Sequence, residues 1–328
     1  MNHISRRKFI GDSARGAALL AAGTMLPSGL LAASLKSDGV PRAILGKTGL
    51  EVSILSFGAG SQFQKNKEGE WQDLMEESIK QGVNLFDTAP SYSNFNEGGT
   101  KLGSDEKCGT ILSKYREKVL ISTKIETRDP LKVRAEVMES LSRLKTDYVD
   151  ILQLHSINNQ DNVDEIEKGV YKVMQEMKKE GIARFIGFSS MSSAARSQEM
   201  LEKLDVDVAL MAFNPTMYGN YWDTALPAAR KQNTGVMAMK VYRNLVDEEA
   251  TAEELFKYGM DMEGINTILV GHVGTKQLKK NVKIARAYGK NELAAIDEKE
   301  LEARLAHCAG PHKLVWARPD YTDGLIIS

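Results

Sequence analysis

The chain has 328 residues, 42% of them hydrophobic and 27% charged, enough to bury a sizeable core as one large domain or two small ones. Its net charge of -1, with Lys and Arg spread along the whole length, argues against a nucleic-acid partner. Two cysteines, Cys108 and Cys308, make neither a disulfide framework nor a zinc site.

Residues 1–34 differ in character from the rest of the chain. Their run "SRRKFIGDSARGAALLAAGTMLPSGLLAAS" has a basic start, an Ala-rich apolar stretch and small residues at 32–34, the three-part layout of an export signal. The Arg6-Arg7 pair followed by Lys8 and Phe9 resembles the twin-arginine type, which implies the twin-arginine export machinery as a partner and a periplasmic or secreted location. The alternative is a membrane anchor left uncleaved. A spanning helix fits less well, because Pro27 and four glycines interrupt a stretch of marginal length. Loss of residues 1–34 leaves 39 basic against 43 acidic residues, a mildly acidic -4, and one domain over 35–328.

The segment 36–51 predicts a small hairpin. From there β-branched or apolar runs alternate with longer helical patterns. The predicted strands are 52–58, 84–88, 119–123, 149–155, 184–189, 208–213, 235–241 and 267–271. Between them, stretches such as "WQDLMEESIKQG" and "VDEIEKGVYKVMQEMKKEG" carry apolar residues at three- and four-residue spacing. Asp129-Pro130 marks one helix start. Strands that recur every 25 to 35 residues or so, with helices between, imply right-handed βαβ units and a parallel sheet. Eight units in about 240 residues fit a closed (β/α)8 TIM barrel of the α/β class. The rival open sheet would want G-x-G-x-x-G after its first strand, and "SFGAGSQF" lacks the third Gly. Residues 297–308 predict one extra C-terminal helix.

In such a barrel the active site lies at the C-terminal ends of the strands. Three consecutive predicted strands end in an ionisable group: Asp87, Lys124 and His155. Tyr92 sits on the loop that leaves the first of them. Singly, each reads as a solvated loop residue or a satisfied core histidine; four matched positions on one rim read as a site. Its chemistry is proton delivery to a carbonyl. A phenol titrates near ~10, and a nearby ammonium is expected to pull that down. Asp87 would keep Lys124 protonated, and His155 would orient the substrate oxygen. The hydride needs a nicotinamide cofactor.

These residues resemble the aldo-keto reductase family from about 42 to 290. "FDTAPSY", "STK", "LQLHSI" and "SDEKCG" are similar to its motifs. The resemblance implies Asp87, Tyr92, Lys124 and His155 as the catalytic tetrad, with Tyr92 as proton donor. For the cofactor it implies Ser189, Ser190, Met239, Lys240, Gly271, Gln277 and Asn281. Ser190 stands where the family has Asn, Leu210 where it has Gln, and Met239 where an aromatic ring is frequent. Val273 replaces a basic residue that reads the 2′-phosphate, although Lys276, Lys279 and Lys280 lie close by in sequence; NADP is slightly favoured over NAD. Some relatives with the "AMK" signature carry a Cys-rich cluster domain, but this tail has one Cys, so neither an iron–sulfur cluster nor another metal is expected.

The expected function is thus an NAD(P)H-dependent oxidoreductase that reduces an aldehyde or ketone, reversibly, with a small-molecule carbonyl or alcohol as substrate. The alternatives are a nicotinamide-binding sensor with little turnover on the same barrel, and a metal-dependent hydrolase built on Asp87 and His155. The loop 92–104, with Tyr218, Tyr221 and Trp222, is expected either to form a substrate lid or to pack at the rim.

Overall fold

The computed structural model describes residues 39–94, 102–247, 249–321 and 323, so the expected export signal at 1–34 lies outside the described residues. Eight parallel strands close into a barrel: β3 (Leu55–Gly58), β4 (Leu85–Asp87), β5 (Leu120–Ile125), β6 (Val149–Leu154), β7 (Ala183–Ser190), β8 (Val208–Ala212), β9 (Gly235–Met239) and β10 (Ile265–Val270), with β10 returning to pair with β3. An antiparallel hairpin of β1 (Arg42–Ile44) and β2 (Glu51–Ser53) precedes it. The expected strand 52–58 is therefore two elements. Val52 and Ser53 belong to the hairpin; Ile54 N still bonds back to Pro41 O at 2.9 Å, but Pro41 has no N–H to return a bond, and the pairing ends there.

The hairpin caps the end of the barrel where the strands begin. Gly46, at φ 48°, turns there so close to β9 that a Cβ would sit 2.3 Å from Gly235 N. Asn84, just before β4, accepts from Ser53 N at 2.7 Å and donates to Glu51 O at 2.8 Å. The other end is left for the loops that leave the strands.

Helices wrap the barrel as the spacing predicts. Asp129 caps the helix Pro130–Leu144 by accepting from Leu131 N at 3.0 Å, with Pro130 in the first turn. The extra helix Glu298–Leu305 is present, and short 3₁₀ turns carry the chain back over the barrel mouth. Among the described residues no helix is long and apolar enough to cross a membrane.

Within the barrel, side chains two apart share a face. Ser122 and Lys124 on β5, and Gln153 on β6 with His155 just beyond it, therefore point inward together. Their register sets them beside β4, since Asp87 pairs with Ser122 and Lys124 pairs with Gln153. Behind Asp87, Thr88 Oγ1 lies 2.6 Å from Ser104 Oγ and 2.8 Å from Asp105 Oδ1, and Ser140 donates to Asp105 Oδ2 at 2.7 Å. Cys108, on the helix Ser104–Leu112 that also carries Ser104 and Asp105, is a buried free thiol in the core.

Burial drives the Asp105 carboxyl up to about 6, against the pull of its two hydroxyl donors. A carboxyl whose folded value lies above its unfolded 3.8 favours the fold most below pH 4, and that contribution is lost as pH rises through about 6. For Asp105→Asn, which has no proton to lose, the stability difference from the parent is expected to shift in the variant's favour by on the order of 3 kcal/mol between pH 4 and pH 8, as read by urea unfolding. A difference that stays flat with pH would contradict this.

Candidate active site

Lys124 is fully buried, and its ammonium donates to Asp87 Oδ2 at 2.6 Å and to Thr88 O at 2.7 Å. The other carboxylate oxygen, Asp87 Oδ1, accepts from Ser122 Oγ and Gln153 Nε2, each at 2.9 Å. A buried ion pair is stable only when its remaining hydrogen-bonding capacity is filled, and these neighbours fill it. The pair supports Tyr92 from below, with the Lys124 ammonium 4.9 Å from the ring centroid. The Tyr92 and His155 rings meet edge to face at 5.8 Å. The four expected catalytic residues are therefore in one place.

A fifth group stands among them that the sequence pattern does not announce. The carboxylate of Asp323, from the C-terminal tail, accepts on Oδ2 from the Tyr92 hydroxyl at 2.9 Å and from His155 Nε2 at 3.1 Å. Its other oxygen, Oδ1, accepts from Lys240 Nζ at 3.0 Å and from the Tyr321 hydroxyl at 3.2 Å. Asp323 is a carboxylate held where two donors converge on one oxygen atom, which is what a carbonyl oxygen would need. Lys240, at the end of β9, adopts a left-handed φ of 63°, a cost of order 1–3 kcal/mol that the surrounding contacts must offset.

The electrostatics of the site are set by this occupant. Burial raises Asp323, yet the Lys240 charge and the hydrogen bond from His155 outweigh it and hold the carboxyl well below its ordinary range. Burial lowers His155, but its contacts to Asp323 and Glu126 raise it above the usual imidazole value. Tyr92 runs against the sequence expectation. The phenol is driven well above its ordinary value, by burial first, then by the negative charges of Asp323 and Asp87. The Lys124 ammonium, bonded to Asp87 and Thr88, does not outweigh these causes.

A cavity of about 530 Å³ opens beside these groups. Of the residues expected to hold a cofactor, Met239, Lys240, Gly271, Gln277 and Asn281 line it, as does Leu210. Ser189 and Ser190 do not. The Ser189 hydroxyl accepts from Ser156 N at 2.9 Å, and the Ser190 hydroxyl donates to Ile157 O at 2.7 Å and meets the Tyr221 hydroxyl at 3.0 Å. Both serines thus tie down the loops after β6 and β7, and Tyr221 packs in the interior with them. Trp222 packs at a tilt against Phe213, ring centroids 4.6 Å apart, and Tyr218 meets Trp316 edge to face at 5.4 Å, so these aromatics pack the rim and do not face the cavity. The loop's central residues 95–101 lie outside the described residues.

The cavity suits a nucleotide. Asn281 Nδ2 and the Tyr242 hydroxyl are buried there without a partner, and Arg243 and Lys280 add positive charge. At Gly271 a Cβ would come within 3.1 Å of Gln62 Cβ, so a larger residue would narrow the floor. Tyr242 and Arg243 lie just past Lys240 in the chain, a link the strand pattern alone did not reveal. Gln153 was legible in principle, two residues before His155 on one face. Asp323 carried no such signal, lying 231 residues from Tyr92.

Comparison with known proteins agrees with this geometry. Residues 55–292 match the model of the Aldo/keto reductase family. The chain is similar to the uncharacterized oxidoreductase YqkF of Bacillus subtilis, 25% identical over 310 residues that cover 80% of this chain and 95% of that one. It is also similar to L-galactose dehydrogenase of Arabidopsis thaliana, 35% identical over 164 residues, 45% of this chain and 47% of that protein. A putative aldo-keto reductase structure from Pseudomonas aeruginosa aligns with a TM-score of 0.62 at 25% identity, covering 78% of this chain and all of that one.

Because Asp323 occupies the donors, Asp323→Asn is expected to lower the apparent KM for an uncharged carbonyl substrate. The fall would be about tenfold if the occupied arrangement holds about nine-tenths of the molecules. Steady-state kinetics on the full chain measure it; a lower kcat/KM in the variant would show that the carboxylate serves the reaction.

Proposed function

The chain belongs to the aldo/keto reductase family, and from that membership we propose that it reduces an aldehyde or ketone to the alcohol, reversibly, with Tyr92 as the proton donor. It is an oxidoreductase, and its relatives support NAD(P)H-dependent carbonyl reduction in general. The observation that carries the specific reading is the meeting of the Tyr92 hydroxyl and His155 Nε2 on one oxygen of Asp323.

NAD(P)H, when bound, supplies the hydride. Lys240, Arg243, Gly271, Lys280 and Asn281 on the cavity wall are the residues that would hold it, and the positive charge of Lys280 and Arg243 leads us to favour NADP. The remaining work falls to the chain's own groups. Once Asp323 leaves, the second-largest cause of Tyr92's raised value goes with it, and the nearby Lys124 ammonium then favours loss of the phenolic proton. The proton passes from the Tyr92 hydroxyl to the oxygen as negative charge builds there. His155 donates to the same oxygen and fixes its direction. The name of the Arabidopsis relative places sugars beside aromatic aldehydes and quinones in the substrate panel.

Export is part of this proposal. It is supported by the Arg6-Arg7 pair, the apolar stretch and the small residues at 32–34. Residues 1–34 fused to a folded reporter are expected to carry it to the periplasm of a bacterium with a twin-arginine system, and Lys at both 6 and 7 is expected to stop it; a reporter left in the cytoplasm by the unaltered segment would refute the assignment.

Tyr92→Phe is expected to lower kcat by roughly 10²- to 10⁴-fold while nicotinamide fluorescence shows unchanged cofactor binding. Turnover equal to that of the parent would overturn the assignment of Tyr92.

A further inference from the structure

Glu126 lies just past β5, two residues beyond Lys124, and its Oε1 touches His155 Nδ1. The His155 side chain is 2% exposed and that of Glu126 is 39% exposed, so the carboxylate reaches inward from the rim to a buried ring. Its backbone is pinned: Glu126 N and Thr127 N both donate to the Glu136 carboxylate, at 2.6 and 3.1 Å, from the helix Pro130–Leu144. Arg128 holds the His155 backbone, donating to its carbonyl at 2.7 Å. The contact thus joins two braced segments.

A neutral imidazole has one N–H and one lone pair. Here each ring nitrogen faces an acceptor, Glu126 at Nδ1 and Asp323 at Nε2. One proton would leave a carboxylate against a lone pair; two satisfy both. The other groups around the ring act at a further remove. The Tyr92 ring meets it edge to face, the Lys124 ammonium sits 4.9 Å from the Tyr92 ring centroid, Lys240 and Tyr321 bind the far oxygen of Asp323, and Arg128 meets only the backbone carbonyl.

A carbonyl oxygen in place of Asp323 Oδ2 is again an acceptor. With Nδ1–H committed to Glu126, a singly protonated ring would aim its lone pair at that oxygen. We propose that Glu126 is a positioning residue for the reduction: by accepting from Nδ1 it keeps His155 doubly protonated, so that Nε2 always presents an N–H to the oxygen held by Tyr92. The charge so held also lies beside the atom where negative charge develops. The proposal rests on the carbonyl-reductase reading of the site, but its test does not require turnover.

Imidazole nitrogens of the ¹⁵N-labelled full chain are tracked by NMR from pH 5 to 9, with His155→Gln to assign the signals. The background is Asp323→Asn, which removes the second carboxylate. His272, pushed down to about 3 by burial, serves as the neutral reference. His155 is expected to carry protons on both nitrogens at pH 7. Adding Glu126→Gln should lower its midpoint by about one pH unit or more, and Glu126→Asp, which keeps the charge and guards against a folding defect, should restore part of it. A His155 already singly protonated at pH 7 with Glu126 intact, or a midpoint unmoved by Glu126→Gln, overturns the proposal while leaving the reductase reading in place. Absence of carbonyl reduction in the unaltered chain would instead remove that reading and leave the NMR result standing.

Discussion

The buried ion pair between Lys124 and Asp87 is the constraint from which the site is built. Two charges withdrawn from water are tolerated only when donors and acceptors surround them. β4 supplies the carboxylate, and Thr88 just after it a carbonyl; β5 supplies the ammonium and Ser122; β6 supplies Gln153. The pair therefore forces three neighbouring strands into one register and makes a rigid floor under Tyr92. Thr88 is braced in turn by Ser104 and Asp105, so the helix after the 92–104 loop also reports on the site.

Above that floor the groups are arranged around an oxygen atom. Tyr92 and His155 approach it from two sides, and Asp323 shows where it sits. The same tail residue raises the phenol and is itself held ionised by Lys240 and His155. The resting site is thus electrostatically closed. Its donors are satisfied by the protein's own carboxylate, and the phenol is least acidic while that carboxylate is present. On the proposed reading, a neutral substrate that displaced Asp323 would remove a negative charge from beside Tyr92 and so ready the proton it needs. Occupancy and acidity are coupled through one side chain.

Periodicity accounts for what was legible in the sequence. Asp87, Lys124 and His155 stood out because each interrupts an apolar run at a strand end, and the barrel brings strand ends together. The alternation that pairs Gln153 with His155 and Ser122 with Lys124 was present in the same runs. Boundaries were less visible: nothing in "VSILSFG" marks Ile54 as the place where a hairpin hands over to a barrel strand. Ser189 and Ser190 do not line the cavity: a likeness of motif says which strand end they occupy and not where their hydroxyls point, and both bond to neighbouring backbone groups. Tyr92's upward shift comes from its burial and then from Asp323, a residue from an irregular tail with no periodic signal, and neither could have been read from strand patterns.

The convergence of two donors on one oxygen is tested most directly by a crystal structure of the full chain with nicotinamide cofactor and a carbonyl-bearing inhibitor. The carbonyl oxygen should lie within hydrogen-bond distance of both the Tyr92 hydroxyl and His155 Nε2, with the Asp323 carboxylate moved off them. A carbonyl bound elsewhere in the cavity, with Asp323 still bonded to Tyr92 and His155, would contradict the assignment of this site to carbonyl reduction.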